Sequence, residues 1–84
     1  MKFKVGDVVT VRGWDEMVKE YPVEDFGIRV GNDLFSKYMK PLCGKNAIVE
    51  EVREDSSVYL LRPMAVEDLN LDWQWDFTDE MLKG

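Results

Sequence analysis

Histidine is absent from this chain of 84 residues, and cysteine occurs once, as Cys43. Without histidine the commonest general base is missing, and the Ser-His and Cys-His pairs of nucleophilic catalysis are excluded. One cysteine cannot form an intramolecular disulfide or supply the usual cysteine and histidine ligands of a zinc site. We therefore expect no enzyme activity, no catalytic residue, no metal and no cofactor. Cys43 is expected to be unpaired and largely buried beside Leu42.

Long apolar runs are also missing. No segment approaches the roughly 20 apolar residues that a membrane-spanning helix requires. The N-terminal residues 1–6 lack the apolar run of a secretory signal. A small domain without disulfides is typical of a reducing compartment. The predicted location is the cytoplasm, with no membrane contact.

Positive charge is scarce, above all near the C-terminus. The chain carries 11 Lys and Arg against 17 Asp and Glu, a net charge of −6. Within residues 63–84 the single basic residue is Lys83. Binding to a phosphate backbone needs clustered basic side chains, and the one such cluster here is Lys37, Lys40 and Lys45. Nucleic acid is therefore not the expected partner.

Strict alternation is the strongest pattern that is present, and it covers residues 68–77. Large apolar residues occupy the odd positions: Leu69, Leu71, Trp73, Trp75 and Phe77. Polar and mostly acidic residues occupy the even ones: Asp68, Asn70, Asp72, Gln74 and Asp76. Because successive side chains of a strand point to opposite faces, a period of two predicts a strand with one buried face.

The end of the chain reads as a short helical turn anchored in the core. Thr78 is the predicted N-cap, and Asp79 and Glu80 follow in the first turn, where the helix dipole favours acidic groups. Phe77 and Leu82 have the spacing of a hydrophobic staple.

The remaining pattern predicts several short strands joined by turns. Strands are expected at residues 2–12, 26–30, 47–52 and 58–62, and short helical segments at 14–21 and 36–40. Turn signals about every ten residues are typical of a small barrel, and closure is how so small a sheet avoids exposed edges. We expect one domain over residues 1–84, since no linker interrupts the chain.

Three segments resemble a known group of proteins in their order along the chain. They are Val5-Gly6-Asp7 with Val9 and Val11, the segment 39–45 before a strand, and the segment 75–82. Together they resemble small SH3-like barrel proteins of bacteriophages, prophages and other mobile elements of Gram-positive bacteria. The resemblance implies a mainly β fold, an SH3-like barrel of about five strands with short helical turns. It implies no activity, because fold does not fix function.

These observations predict a non-enzymatic binding module whose partner is a protein. Aromatic side chains are enriched in interface cores. The candidate binding residues are therefore Trp14, Tyr21 and Trp73, together with Asp72 and Asp76 of the adjacent acidic segment. The oligomeric state is left open.

Two alternative functions remain. The acidic residues of the C-terminal segment could imitate nucleic acid, which would make the chain an inhibitor that occupies a host nucleic-acid-binding groove. Their spacing on a strand, about 13 Å, is however much sparser than the phosphates of DNA. A nucleic-acid-binding barrel is the second alternative, with Tyr21, Tyr38 and Trp73 stacking on bases.

A calcium site is not expected, although Asp68, Asn70 and Asp72 match the start of an EF-hand loop. The sixth position of such a loop must be glycine for its sharp turn, and here it is Trp73.

Overall fold

The computed structural model describes all 84 residues as two small antiparallel sheets around one core. The strands are β1 (Val8–Val11), β2 (Val23–Glu24), β3 (Gly27–Val30), β4 (Asp33–Ser36), β5 (Asn46–Arg53), β6 (Val58–Pro63) and β7 (Leu82–Lys83). One α-helix, α1 (Trp14–Val18), and three 3-10 helices (Lys37–Leu42, Val66–Asn70 and Asp79–Met81) connect them. The prediction of a mainly β fold with short helical turns is confirmed.

The larger sheet has the strand order β6-β5-β1-β7, and the smaller one has the order β2-β3-β4. All of the strand pairs are antiparallel. Neither sheet closes on itself, so β6 and β7 form the edges of the larger sheet. The strand count is seven, against about five expected, because the structure includes two short strands of two residues each, β2 and β7.

Alternating side chains from the larger sheet build the core. Val9 and Val11 of β1 are fully buried, and so are Ala47 and Val49 of β5. Tyr59 of β6 completes this inward face. The sequence predicted each of these residues as inward, and the structure confirms it, because a period of two fixes which face of a strand is buried.

The predicted strand at residues 68–77 is wrong. Residues 66–70 form a 3-10 helix, and residues 71–76 follow an irregular path. Only Phe77 pairs with a strand, through a single antiparallel bridge to Tyr59. The expected pattern of exposure is reversed only at the start of the segment, where Asp68 is 6% exposed and Leu69 is 64% exposed. From residue 70 to residue 77 the odd positions are the less exposed ones, as predicted.

Local hydrogen bonds explain why this segment does not extend. The indole N–H of Trp73 donates to the Asp68 carbonyl oxygen at 2.9 Å, and that of Trp75 donates to the Asp72 carbonyl oxygen at 3.2 Å. The Asp72 carboxylate also accepts from the Gln74 backbone N–H at 3.0 Å. Such local bonds compete with the ladder of a sheet. The buried Asp68 is in turn paired with Lys45 Nζ at 3.1 Å.

The chain does end in the core, as predicted. Phe77, Met81 and Leu82 are all buried. Thr78 occupies the N-cap position of the last 3-10 helix, but its side chain makes no capping hydrogen bond and its hydroxyl has no partner. Leu82 then pairs with Val11, so the chain finishes as a strand on the edge of β1.

Truncating this buried end should destabilise the fold. We expect Met81→Ala and Leu82→Ala each to lower the free energy of unfolding by about 2–4 kcal/mol, because each leaves a cavity in a small core. Urea melts of the purified variants measure the effect. Glu80→Ala, which removes an exposed side chain, is the control and should change stability by less than about 0.5 kcal/mol. Melts of the two core variants that overlay the wild type would contradict the packing of the chain end.

The phenol of Tyr59 links the two ends of the chain. Its O–H donates to the Asp79 carboxylate, and its oxygen accepts from the Phe3 backbone N–H at 3.0 Å. The Lys2 backbone N–H donates to the same Asp79 oxygen at 3.2 Å. Burial and the hydrogen bond to Asp79 both raise the pKa of the Tyr59 phenol.

A raised pKa means that the folded state holds the phenol proton more tightly than the unfolded state does. The contribution of the protonated phenol to stability is therefore complete below the pKa of tyrosine in the unfolded chain, about 10. It is lost as pH rises through the pKa of Tyr59 in the folded protein. We expect the stability advantage of the wild type over Tyr59→Phe to be constant between pH 7 and 9 and to shrink above about pH 10. Denaturant melts of both proteins at each pH test this, and parallel stability curves up to pH 11 would contradict it.

Candidate functional site

An exposed aromatic pair with a lysine between its rings is the most distinctive surface feature. Phe26 is 61% exposed and Tyr38 is 65% exposed. Lys37 Nζ lies 5.3 Å from the centroid of the Phe26 ring and 5.4 Å from that of Tyr38. Both distances fall within the range of cation–π attraction. We call these three residues the aromatic–lysine patch.

The backbone holds Phe26 firmly at the surface. Phe26 lies in the tight turn between β2 and β3, and its carbonyl oxygen accepts from the Lys37 N–H at 2.7 Å. The next residue, Gly27, is packed so closely on β4 that a Cβ there would lie 2.1 Å from the Phe35 carbonyl oxygen. Only glycine permits such an approach. The exposed ring is thus presented by a constrained turn.

The 3-10 helix Lys37–Leu42 positions Tyr38 and Lys37. Ser36 caps this helix, since its Oγ accepts from the Tyr38 N–H at 3.1 Å. Met39 and Leu42 are buried and fix the inner side of the helix against the core. The outer side is left to Lys37 and Tyr38. The sequence predicted this short helical segment at 36–40 but placed its end before Pro41, which the 3-10 helix includes.

A second lysine and ring continue the same helix. Residues three apart eclipse each other in a 3-10 helix, so Lys40 lies along the same side as Lys37. Lys40 Nζ lies 4.9 Å from the centroid of the Trp14 ring. Trp14 is half-buried, because its ring packs at a tilt against Phe35 at 6.1 Å. Aromatic and cationic groups therefore alternate along this side of the protein.

Cys43 follows the same helix and is half-buried, so it is less enclosed than expected. Burial raises the pKa of the Cys43 thiol, and the nearby Lys40 charge offsets this only in part. Because the thiolate is the nucleophile, this thiol is poorly suited to covalent chemistry at neutral pH.

A separate groove contains two of the predicted binding residues, Trp73 and Asp76. Its cavity is about 500 Å³, and its lining residues are Glu50, Arg53, Leu60, Leu61, Trp73, Gln74 and Asp76. Trp73 is only 8% exposed, as its odd position in the alternating segment predicts, and it forms part of the groove lining. We call this the Trp73 groove. Asp72 is exposed but is not among the lining residues.

Tyr21 lies elsewhere, in a charged cleft of about 370 Å³ around Arg12. The Arg12 guanidinium is bound by the Glu16 and Glu20 carboxylates and donates to the Glu80 carbonyl oxygen at 2.9 Å. The hydrogen bond from Arg12 is the main reason that the pKa of the Glu16 carboxyl is lowered. The positive charge of Arg12 is therefore already paired within the cleft.

The five predicted binding residues thus do not form one surface. Trp73 and Asp76 share a groove, Tyr21 lines the Arg12 cleft, and Trp14 borders the lysine side of the 3-10 helix. Sequence reasoning missed Phe26, which it placed at the start of a strand. Gly27, which follows Phe26, could have indicated that Phe26 lies in a turn, because glycine is typical of turns.

No group of three or more His, Cys, Asp or Glu side chains is arranged to hold a metal ion. No helix has both the length and the apolar character needed to cross a membrane. No family model, no curated protein and no solved structure matches this chain. The candidate function therefore depends on the geometry of its own surfaces.

The close approach at Gly27 leads to a stability prediction. Gly27→Ala should lower the free energy of unfolding by at least about 1–3 kcal/mol, the usual cost of overpacking, because the neighbouring group is backbone and cannot rotate away. Gly13→Ala is the control: its φ is −68° and the nearest atom to an added Cβ is 4.0 Å away. It should cost less than about 1 kcal/mol. Equal melting curves for the two variants would contradict the contact.

Proposed function

We propose that this chain is a non-enzymatic binding module that takes a protein partner on the aromatic–lysine patch. The observation that carries the proposal is the exposure of Phe26 and Tyr38 side by side on constrained backbone. Exposed apolar surface of this kind marks interaction sites, and aromatic anchors dominate the energy of protein interfaces. Because the turn and the capped helix are already ordered, little conformational entropy is lost when a partner binds.

The proposal includes an SH3-like barrel architecture and an origin in a phage or mobile element. The placement of the three segments that carry the resemblance supports the first part. The turn at Gly6 leads into β1, the 3-10 helix Lys37–Leu42 leads into β5, and the 3-10 helix Asp79–Met81 leads into β7. All three therefore introduce strands of the same sheet.

Single-stranded nucleic acid is a second candidate for the same patch. Lys37 and Lys40 beside aromatic rings are the groups that bind phosphates and stack on bases. The net charge of −6 opposes this reading, since it repels a polyanion at long range.

An inhibitor that imitates nucleic acid has less support from the geometry. The expected acidic row does not form, because Asp68 is buried against Lys45 and Asp72 accepts a local hydrogen bond from Gln74. Only the net negative charge supports it.

Comparison of patch variants tests the protein-binding proposal. The immobilised chain is exposed to a nuclease-treated lysate of a Gram-positive bacterium, and captured proteins are then identified and titrated. Phe26→Ala and Tyr38→Ala should each weaken capture by about tenfold or more, as expected for interface anchors. Leu69→Ala is the matched control, since Leu69 is 64% exposed but lies on the separate 3-10 helix Val66–Asn70.

Two outcomes would contradict the proposal. Equal capture by the wild type and both patch variants would show that the patch is not the contact surface. Binding of an oligothymidine strand that is lost in Phe26→Ala and falls steeply with salt, without any captured protein, would favour the nucleic-acid candidate.

A further inference from the structure

The outer edge of β6 already accepts an antiparallel neighbour at one position. The Tyr59 N–H donates to the Phe77 carbonyl oxygen at 2.7 Å, and the Phe77 N–H donates back to Tyr59 at 3.1 Å. This reciprocal pair shows that both backbone groups of Tyr59 point away from β5. The chain before Phe77 then leaves the edge, since no further bridge joins it to β6.

Leu61 is the next residue of β6 whose backbone N–H and C=O point away from β5, as those of Tyr59 do. Groups that point to one side of an antiparallel strand recur every second residue, so the Leu61 N–H and C=O also point away from β5. The opposite residue on β5, Val49, sends its own N–H to the Asp7 carbonyl oxygen and not to β6, which agrees with this register. No hydrogen bond outside the strands involves the backbone of Leu61. One donor and one acceptor therefore have no partner within the protein; Leu61 is only 5% exposed, and the groove that it lines is the route by which a ligand would reach these groups.

The Trp73 groove lies at this free position. It opens between Leu60 and Leu61 of β6 on one side and the departing segment 73–76 on the other. Its cavity of about 500 Å³ is in the range of sites that hold small ligands or a short stretch of peptide. Leu60 and Trp73 supply apolar surface beside the free backbone groups.

The charges around the groove favour a cationic occupant. Glu50 and Asp76 are exposed carboxylates on its lining, and the single cation there, Arg53, already pairs with Glu51 at 2.6 Å. The hydrogen bond to Glu51 is the main cause of the raised pKa of Arg53, and Asp76 contributes to it. The net charge of −6 would also steer a positively charged segment towards the protein.

We propose that the open edge of β6 docks an extended, lysine- or arginine-bearing segment of a partner protein, which pairs with Leu61 as an added antiparallel strand. Main-chain hydrogen bonds supply affinity in this mode, and flanking pockets supply specificity. The groove gives the apolar residues of the segment a contact with Trp73, and Glu50 and Asp76 receive its cations. This inference does not depend on the aromatic–lysine patch.

A capped hexapeptide of alternating lysine and valine is the probe, and one of alternating glutamate and valine is its control. Amide hydrogen exchange followed by NMR is the first readout. The lysine peptide should slow exchange at Leu61 while leaving Leu60, whose N–H points to β5, unchanged. Binding should be undiminished in Phe26→Ala, which separates this groove from the aromatic–lysine patch.

Charge reversal on the groove is the second readout. Glu50→Lys with Asp76→Lys should weaken binding of the lysine peptide about fivefold, as expected for the loss of two exposed ion pairs. The control is Asp25→Lys with Glu67→Lys, which makes the same change in net charge at exposed positions outside the groove and should have a smaller effect. The proposal is overturned if Leu61 exchange is unaffected, if the glutamate peptide binds equally well, or if both double variants weaken binding alike.

Discussion

The position of Tyr59 in the sheet is the interaction on which the two ends of the chain depend. Its backbone pairs with Phe77, its phenol oxygen receives the Phe3 N–H, and its O–H binds Asp79. A domain of this size has a small core and no disulfide to close its loops. The fully buried Tyr59 side chain therefore connects the two ends of the chain through hydrogen bonds, as disulfides connect distant segments in other small domains. It also means that the N-terminal residues and the last 3-10 helix depend on each other for their order.

The sequence was a good guide where one local rule acted without competition. The inward faces of β1, β5 and β6 follow from a period of two, and the β5–β6 hairpin follows from the polar turn between two apolar runs. The buried chain end followed from Phe77 and Leu82. In these segments the hydrophobic pattern and the observed strand pairing agree, so the pattern was sufficient to predict which side chains are buried.

The sequence was a poor guide where side chains bind the backbone or where exposure depends on a distant contact. The period of two at residues 68–77 is as regular as in any strand of the chain, yet it takes no account of the hydrogen-bonding needs of Trp73 and Trp75. The exposure of Phe26 could not be read from its neighbours either. Phe26 lies in the turn immediately before Gly27, whose close packing on Phe35 joins residues of two different strands. Of the candidate binding residues, Trp73 and Asp76 share a groove, whereas Trp14 and Tyr21 lie on other surfaces, and their role in binding stays a prediction.

The same hydrogen bonds that prevent a strand at residues 71–76 also leave the edge of β6 open. A continued strand in the Phe77 register would place Trp75 opposite Leu61, and each new backbone pair would contribute about 0.5–1.5 kcal/mol. It would also take away the carbonyl oxygens of Asp68 and Asp72 that now accept from the two indoles. Of the two, only the Trp73 indole N–H is buried, and leaving it without a partner would cost about 1–3 kcal/mol, which matches or exceeds the gain from a backbone pair. The ion pair between Lys45 and Asp68 also stabilises the observed irregular path relative to a continued strand. An incoming segment faces no such competition, because it would use the free groups of Leu61 without displacing either indole from its acceptor.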